Sequence, residues 1–92
     1  MQGNFFTYLI LTENNTLYCG YTNDLDKRFE NHCNGKASKY TRANKPVKIA
    51  YYEIHSTKSE AMKAEARIKK LNRCQKLQLI ESMENNNDKA DN

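Results

Sequence analysis

A chain of 92 residues provides one small domain, and its three cysteines are an odd number that cannot form a closed disulfide framework. No apolar run approaches the ~18 residues that span a bilayer, and the first residues lack the pattern of a signal peptide. The composition therefore predicts a cytoplasmic protein without a membrane anchor and excludes a second catalytic or recognition domain.

The net charge of +4 is unevenly distributed along the chain. Residues 1–80 carry +7 and residues 81–92 carry −3. Between Lys27 and Lys48 there are seven basic residues and one acidic residue. This segment suits a polyanion such as nucleic acid, although a solvated basic face is an equally common interpretation.

The cysteines indicate a reducing compartment. Cys33 follows His32, which raises the alternative of a zinc site. Structural zinc sites usually present their ligands in closely spaced pairs, which this chain lacks, so single thiols are the favoured interpretation.

The first two predicted elements are strands at residues 4–12 (NFFTYLILT) and 17–22 (LYCGYT). Both are rich in aromatic and β-branched residues, and the polar turn ENNT separates them, so we expect an antiparallel hairpin. Because side chains alternate along a strand, Tyr8 lies on one face of the first strand, and Tyr18 and Gly20 share one face of the second.

A short helix is predicted at residues 24–33, where Asp24 is a good N-cap and an Asn-Gly pair follows the end. On a helical wheel one narrow arc contains Leu25, Phe29 and His32, and Arg28 lies at its edge. Arg28 and His32 are four residues apart and therefore neighbours, on the side that should face the sheet.

The polar segment at residues 36–45 indicates a loop or a single helical turn. A third strand is predicted at residues 47–55, and its alternation places Val47, Ile49 and Tyr51 on one face.

A second long helix is predicted at residues 58–71, with a capping box formed by Thr57 and Glu60. Glu65 falls within the apolar arc of this helix rather than opposite it. A buried carboxylate without a partner costs several kcal/mol on the order of magnitude of burial penalties, so Glu65 needs a partner or a metal. The other members of the arc are Ala61, Ala64, Ile68 and Leu71.

A third helix is predicted from residue 72, with Leu77, Ile80 and Met83 on its inner face, and residues 84–92 are expected to form a disordered acidic and polar tail. The domain is thus residues 1–83. The predicted fold is α/β of the α+β type, a small three-stranded antiparallel sheet flanked by helices in the order β-β-α-β-α-α.

The short motifs of this chain, in their order and spacing, resemble those of the GIY-YIG nuclease family, above all its small stand-alone bacterial members. Phe6-Thr7-Tyr8 corresponds to the Gly-Ile-Tyr motif and Tyr18-Cys19-Gly20 to Tyr-Ile-Gly. Arg28 follows the motif glycine by eight residues, and His32 follows one helical turn later. The segment SEAMKAEARIKKL resembles the family helix that supplies a metal-binding glutamate, here Glu65. Three motif positions differ from the family pattern and look like packing changes: Phe6, Thr7 and Cys19.

The resemblance implies a metal-dependent nuclease that hydrolyses phosphodiester bonds. Glu65 would hold one Mg²⁺ or Mn²⁺ ion, and Arg28 a non-bridging phosphate oxygen. Tyr8 would orient or deprotonate the water, after nearby cations have acidified a phenol whose ordinary pKa is ~10. Tyr18 would donate to the phosphate or share the base role, and His32 would support the network.

The expected nucleic-acid-binding residues are Gly20, Lys36, Lys39, Tyr40, Arg42 and Lys45. Gly20 would let a backbone approach closely, the basic residues would contact phosphates, and Tyr40 would stack on a base or serve as an ordinary packing aromatic. DNA is favoured over RNA, with low sequence specificity, selectivity for a nucleic-acid structure or single strand, and a role in DNA repair or processing. A protein partner could supply specificity.

Each candidate also has a structural interpretation, such as cross-strand packing of the tyrosines or an ion pair between Arg28 and Glu65. The alternative function is a non-catalytic nucleic-acid-binding module of the same fold. A protein-interaction domain that uses the acidic tail is a third possibility. The role of Asn72, near Glu65 on the helical wheel, is left open.

Overall fold

The structure, a computed structural model, describes residues 4–91, with side chains described for residues 4–85. Three strands form one antiparallel sheet in the order β2-β1-β3. The elements are β1 Phe5–Thr12, β2 Leu17–Thr22, α1 Leu25–Cys33, α2 Lys39–Ala43, β3 Pro46–His55, α3 Lys58–Lys69 and α4 Arg73–Asp91. This confirms the predicted α+β fold, and α2 adds a short helix within the segment that was expected to be a loop or a single turn.

All four helices begin at a polar residue whose side-chain oxygen accepts the backbone N–H three residues later. These residues are Asp24, Ser38, Thr57 and Asn72. The predicted capping box is present, although the Glu60 carboxylate accepts from the backbone N–H of Ser56, at 3.1 Å, one residue before the expected one. Asn72 therefore has a local role as the cap of α4.

The sheet is covered by helices on both faces. The adjacent residues Tyr8 and Leu9 of β1 point to opposite faces, and both are almost fully buried, at 2% and 0% exposed. Leu9 packs with Cys19 and with Ile68 of α3 in the hydrophobic core. On the other face the Tyr8 ring packs edge-on against His32 of α1. The structure is thus a three-layer arrangement with the sheet in the middle.

The third strand contains an irregularity that the sequence pattern does not reveal. Leu9 pairs with Tyr51 and Ile10 pairs with Ile49, so Ala50 is an extra residue in β3. Since Leu9 and Ile10 point to opposite faces, Tyr51 and Ile49 do as well. The prediction that Val47, Ile49 and Tyr51 share a face is wrong for this reason.

Helix α4 packs against the core through Leu79 and Ile80, whereas Leu77, which was predicted to face inward, is 43% exposed. The helix continues through the segment from residue 84 that the sequence predicts to be disordered, and the division of the chain into a domain and a tail stays a prediction. Among the described residues, no helix combines the length and the apolar character needed to cross a bilayer.

The core cluster predicts a large effect of truncating Ile68, which is fully buried between α3 and the sheet. Ile68→Ala should lower the free energy of unfolding by about 2–5 kcal/mol, because it removes buried methyl groups and leaves a cavity. Met62→Ala on the same helix is the matched control, since Met62 is 47% exposed and its truncation should cost less than about 0.5 kcal/mol. Urea denaturation measures both, and equal losses would contradict this description of the core.

Candidate active site

A pocket of about 420 Å³ opens at the free edge of β2. Successive β2 side chains point to opposite faces, so residues from both helical layers meet at this edge. The pocket is lined by Tyr8 of β1, Tyr18 and Gly20 of β2, Arg28 of α1 and Glu65 of α3. The structure therefore brings together four of the five predicted catalytic residues, with the motif glycine between them.

The position of Tyr8 requires glycine at residue 20. Tyr8 and Gly20 are direct cross-strand partners, and a Cβ atom on Gly20 would lie 2.6 Å from Tyr8 Oη and 2.8 Å from Tyr8 Cζ. The phenol ring occupies the space that a side chain at residue 20 would fill. Gly20 was expected to let a backbone approach closely. In the structure the Tyr8 side chain of the protein itself makes this close approach.

Tyr8 is held by a hydrogen bond to His32. Its hydroxyl oxygen lies 2.9 Å from His32 Nε2, and both side chains are buried. Burial raises the pKa of Tyr8 well above the usual value for tyrosine, and the opposing effect of the Arg28 charge is smaller. The expectation that neighbouring cations acidify this phenol is therefore not met by the residues of this chain: the side chain is a neutral phenol at pH 7.

His32 lies behind the two tyrosines and does not line the pocket. Its ring packs edge-on against Tyr18, with centroids 5.1 Å apart, and Nδ1 lies 2.6 Å from Thr41 Oγ1. Burial and then the nearby Arg28 charge lower the pKa of His32 from 6.5 to about 4. His32 is therefore a neutral imidazole at pH 7, and one of its two ring nitrogens carries no proton.

Glu65 presents a carboxylate to the pocket and is paired with Lys69 at 3.3 Å, one turn further along α3. The adjacent thiol of Cys19 contributes no ligand, because burial raises its pKa to about 11 and keeps it protonated. Among the described side chains, no group of three or more His, Cys, Asp or Glu residues could hold a metal ion. The donor set is a single carboxylate, which suits a hard cation that keeps most of its waters, such as Mg²⁺ or Mn²⁺.

The pocket contains a further cation that sequence reasoning missed. Lys58, in the first turn of α3, is exposed and lines the same pocket as Glu65. The two residues are seven apart, so they share a helix face two turns from each other. The spacing on the helical wheel was the signal that could have identified Lys58.

Five of the predicted nucleic-acid-binding residues are exposed and lie in α2 or beside it, next to the pocket. They are Lys36, Lys39, Tyr40, Arg42 and Lys45. Tyr40 stacks on Tyr18 with centroids 5.9 Å apart, and its hydroxyl donates to Thr16 at 2.6 Å. One face of the Tyr40 ring is thus covered by the pocket tyrosine, and the same contact joins the basic segment to the pocket.

A second cavity, of about 680 Å³, lies over the β3 half of the sheet and has a different character. Its apolar floor includes Phe6, Ile49 and Tyr52, and its rim includes Asp24, Asp26 and Glu84. Lys48 is the one basic residue of the lining, so the three carboxylates leave it with a net negative charge, which disfavours a polyanion. The pocket at the β2 edge, with Arg28 and Lys58, is the one that suits a phosphate.

The fold and this pocket define a class of protein. The family model for the GIY-YIG catalytic domain matches residues 4–78, and the chain belongs to the GIY-YIG family.

Relatives of this chain include several UPF0213 proteins. One from Bacillus velezensis is 53% identical over 76 residues, which are 83% of this chain and 77% of the relative. The UPF0213 protein YazA of Bacillus subtilis is 46% identical over 82 residues, 89% of this chain and 83% of the relative. The solution NMR structure of the UPF0213 protein BH0048 from Bacillus halodurans is 36% identical and has a TM-score of 0.55, covering 85% of this chain and 83% of that one.

The buried neutral His32 predicts how stability depends on pH. Between about pH 6.5 and pH 4 the unfolded chain binds a proton that the folded chain does not, because the folded pKa is about 4. The free energy of unfolding should therefore fall as the pH is lowered through this range, by at most about 1.4 kcal/mol per pH unit from this residue. Urea denaturation between pH 7 and pH 4.5 measures the slope.

The matched variants for this prediction are His32→Gln and His55→Gln, which replace the two histidines of the chain in turn. The contribution of His32 to the pH dependence of the free energy of unfolding should disappear in His32→Gln and remain in His55→Gln. A slope that His32→Gln leaves unchanged would show that another group titrates.

Proposed function

We propose that this chain is a nuclease that uses one divalent cation, Mg²⁺ or Mn²⁺, to hydrolyse phosphodiester bonds in nucleic acid. The observation that carries this proposal is the convergence of Tyr8, Tyr18, Arg28 and Glu65 on one pocket. Membership of the GIY-YIG catalytic domain family supports the same reaction. The free thiols of Cys19, Cys33 and Cys74 fit action in the reducing cytoplasm.

Two positively charged side chains bind the scissile phosphate. The Arg28 guanidinium holds non-bridging oxygens through its planar fork of donors, and Lys58 adds a point charge from the first turn of α3. Tyr18 lines the same pocket and donates its hydroxyl to the phosphate. These groups neutralise the charge that develops on the phosphoryl oxygens during attack.

Glu65 would hold the cation through its carboxylate. Its present partner, Lys69, is more than half exposed and can turn into solvent when the cation binds. When bound, a divalent cation supplies Lewis-acid stabilisation of the phosphoryl group and of the leaving oxygen.

Tyr8 activates the attacking water through His32. A neutral phenol is a poor base, so Tyr8 accepts a proton from water only as it gives its own proton to another group. His32 Nε2, 2.9 Å from the Tyr8 oxygen, is the neighbouring acceptor. Burial is the larger cause of the low pKa of His32, and the Arg28 charge is the smaller one. A bound phosphate offsets the Arg28 charge, so substrate binding makes this transfer more favourable.

The basic residues around α2 hold the nucleic-acid backbone. Lysine and arginine side chains that reach phosphates position a substrate without reading its sequence, which supports low sequence specificity. The preference for DNA over RNA, selectivity for single strands or particular structures, a role in repair or processing, and a partner protein that supplies specificity are parts of the same proposal.

The decisive test is cleavage by the purified chain with Mg²⁺ or Mn²⁺. End-labelled single-stranded DNA, duplex DNA and matched RNA are the substrates. Glu65→Gln should reduce the rate at least about a hundredfold, because the side chain keeps its size and loses the charge that holds the cation. EDTA should abolish cleavage. Glu81→Gln, the same change at an exposed glutamate of α4, is the matched control and should cleave like the wild type.

The outcome that would contradict the nuclease is equally specific. If the chain cleaves none of the substrates while the wild type and Glu65→Gln bind them with the same salt-sensitive affinity, the protein is a non-catalytic binding module.

The basic segment predicts the salt dependence of binding. The double variant Lys39→Gln, Arg42→Gln should bind single-stranded DNA more weakly and reduce the slope of log Kd against log salt by about 1.4, or about 0.7 per lost phosphate contact. Fluorescence anisotropy at several salt concentrations measures the slope. The double variant Lys63→Gln, Lys70→Gln removes the same charge from two exposed sites, one on α3 and one at its C-cap. If it lowers the slope equally, binding depends on net charge alone.

A further inference from the structure

A chain of hydrogen bonds leads from the pocket to the start of α2. Tyr8 Oη lies 2.9 Å from His32 Nε2, and His32 Nδ1 lies 2.6 Å from Thr41 Oγ1. Thr41 Oγ1 lies 2.9 Å from Ser38 Oγ, which also accepts the backbone N–H of Thr41 at 3.1 Å. Tyr8, His32 and Thr41 are each at most 2% exposed. The phenol of the pocket is thus connected to a helix N-cap through groups that solvent hardly reaches.

The hydrogens of this chain can be arranged in two ways, according to which nitrogen of neutral His32 carries the proton. With the proton on Nε2, the ring donates to Tyr8, and the Tyr8 hydroxyl can then donate only into the pocket, because no described residue accepts from it. With the proton on Nδ1, the ring donates to Thr41, and Tyr8 donates to Nε2. The Thr41 hydroxyl then donates to Ser38, and the half-buried Ser38 hydroxyl has access to solvent. The second arrangement satisfies every buried donor.

We propose that Thr41, held by Ser38 at the start of α2, is a positioning residue that keeps the proton of His32 on Nδ1 and leaves Nε2 open to Tyr8. The role of this tautomer in catalysis rests on the proposed nuclease function, whereas the tautomer itself is a property of the free protein. Thr41 is absent from the predicted site because a single threonine in a polar segment carries no sequence signal of burial.

The proton movements balance with this tautomer. As the water oxygen attacks phosphorus, a water proton passes to Tyr8 Oη, and the Tyr8 proton passes to His32 Nε2. The ring then carries a proton on each nitrogen, and Thr41 Oγ1 continues to accept from Nδ1–H. The bond from phosphorus to the leaving oxygen breaks, and that oxygen takes a proton from a solvent water. The proton on His32 Nε2 then returns through Tyr8 Oη to the hydroxide that this water has become, which restores both residues. With the opposite tautomer Nε2 already holds a proton and the transfer has no acceptor.

The arrangement also links substrate binding to the base. Thr41 lies between Lys39 and Arg42 on one short helix, so the residue that orients His32 and the residues that hold the backbone belong to the same rigid turn. Ser38 caps that helix and accepts from Thr41, which fixes the Thr41 hydroxyl relative to the helix.

The test is the tautomer of His32, read by long-range ¹H–¹⁵N NMR of the purified, metal-free chain at pH 7. The two ring nitrogens of a neutral histidine give separate signals for the protonated and the unprotonated position. The chain has two histidines, and His55→Gln assigns the signals. We expect the proton of His32 on Nδ1 in the wild type. A proton on Nε2 would overturn the proposal without any activity assay.

Two variants of Thr41 distinguish the effect of its hydroxyl group from that of its side-chain volume. Thr41→Val keeps the shape and removes the acceptor, so the proton should move largely to Nε2. Thr41→Ser keeps the hydroxyl and should retain the tautomer of the wild type. An unchanged tautomer in Thr41→Val would overturn the proposal. If Thr41→Val does not fold, the wild type and Thr41→Ser decide the question alone.

Cleavage kinetics then test the consequence for the reaction. Thr41→Val should lower kcat by roughly 10- to 100-fold with KM within about twofold, and Thr41→Ser should restore kcat. A raised KM with unchanged kcat would make Thr41 a binding residue and overturn its positioning role. A chain that shows the expected tautomers but cleaves no substrate would overturn the nuclease function and leave the tautomer assignment standing.

Discussion

The contact between the Tyr8 ring and the backbone of Gly20 is the constraint on which the site depends. The two residues are cross-strand partners, and the phenol lies where a Cβ on residue 20 would be. The ring ends over Gly20 of the edge strand β2, so the Tyr8 hydroxyl lies beside the pocket that Arg28 of α1 and Glu65 of α3 also line. A one-residue slip of β1 against β2 would place Cys19 or Tyr21 opposite Tyr8 and turn the ring away from the edge. The register of one hairpin thus sets the geometry of the pocket.

The same burial that positions these residues determines their charge states. Tyr8 and His32 lie where a core side chain would be expected, and water hardly reaches them. Their neutral forms are therefore favoured, which is why the pKa of Tyr8 is raised and that of His32 is lowered. Among the described side chains, every buried polar atom has a hydrogen-bond partner. Hydrogen bonds inside a protein are electrostatically stronger than in water, so a fully paired network of this kind fixes the positions of its members.

Local patterns predicted much of the fold and of the site. The strand and helix bounds followed from periodicity and caps, and the inward positions of Arg28 and Glu65 followed from helical phase. Features that depend on packing between distant segments could not be predicted from the sequence. The extra residue Ala50 in β3 arises from strand pairing, and the hydrogen bond between Thr41 and His32 forms only when α2 packs on α1. Lys58 is different, since its spacing of seven residues from Glu65 was visible in the sequence.

The position of Glu65 bears on the choice between an enzyme and a binding module. A pocket that only bound phosphate would gain from Arg28 and Lys58 and lose from a carboxylate beside them, because like charges repel in a partly desolvated site. The Glu65 side chain is half-buried and lines that pocket, so its charge acts directly on any bound phosphate. A bound divalent cation would make the carboxylate favourable, because Glu65 would hold the cation and the charge of the cation would attract the phosphate. The arrangement of charges therefore supports the proposed metal-dependent reaction over simple phosphate binding.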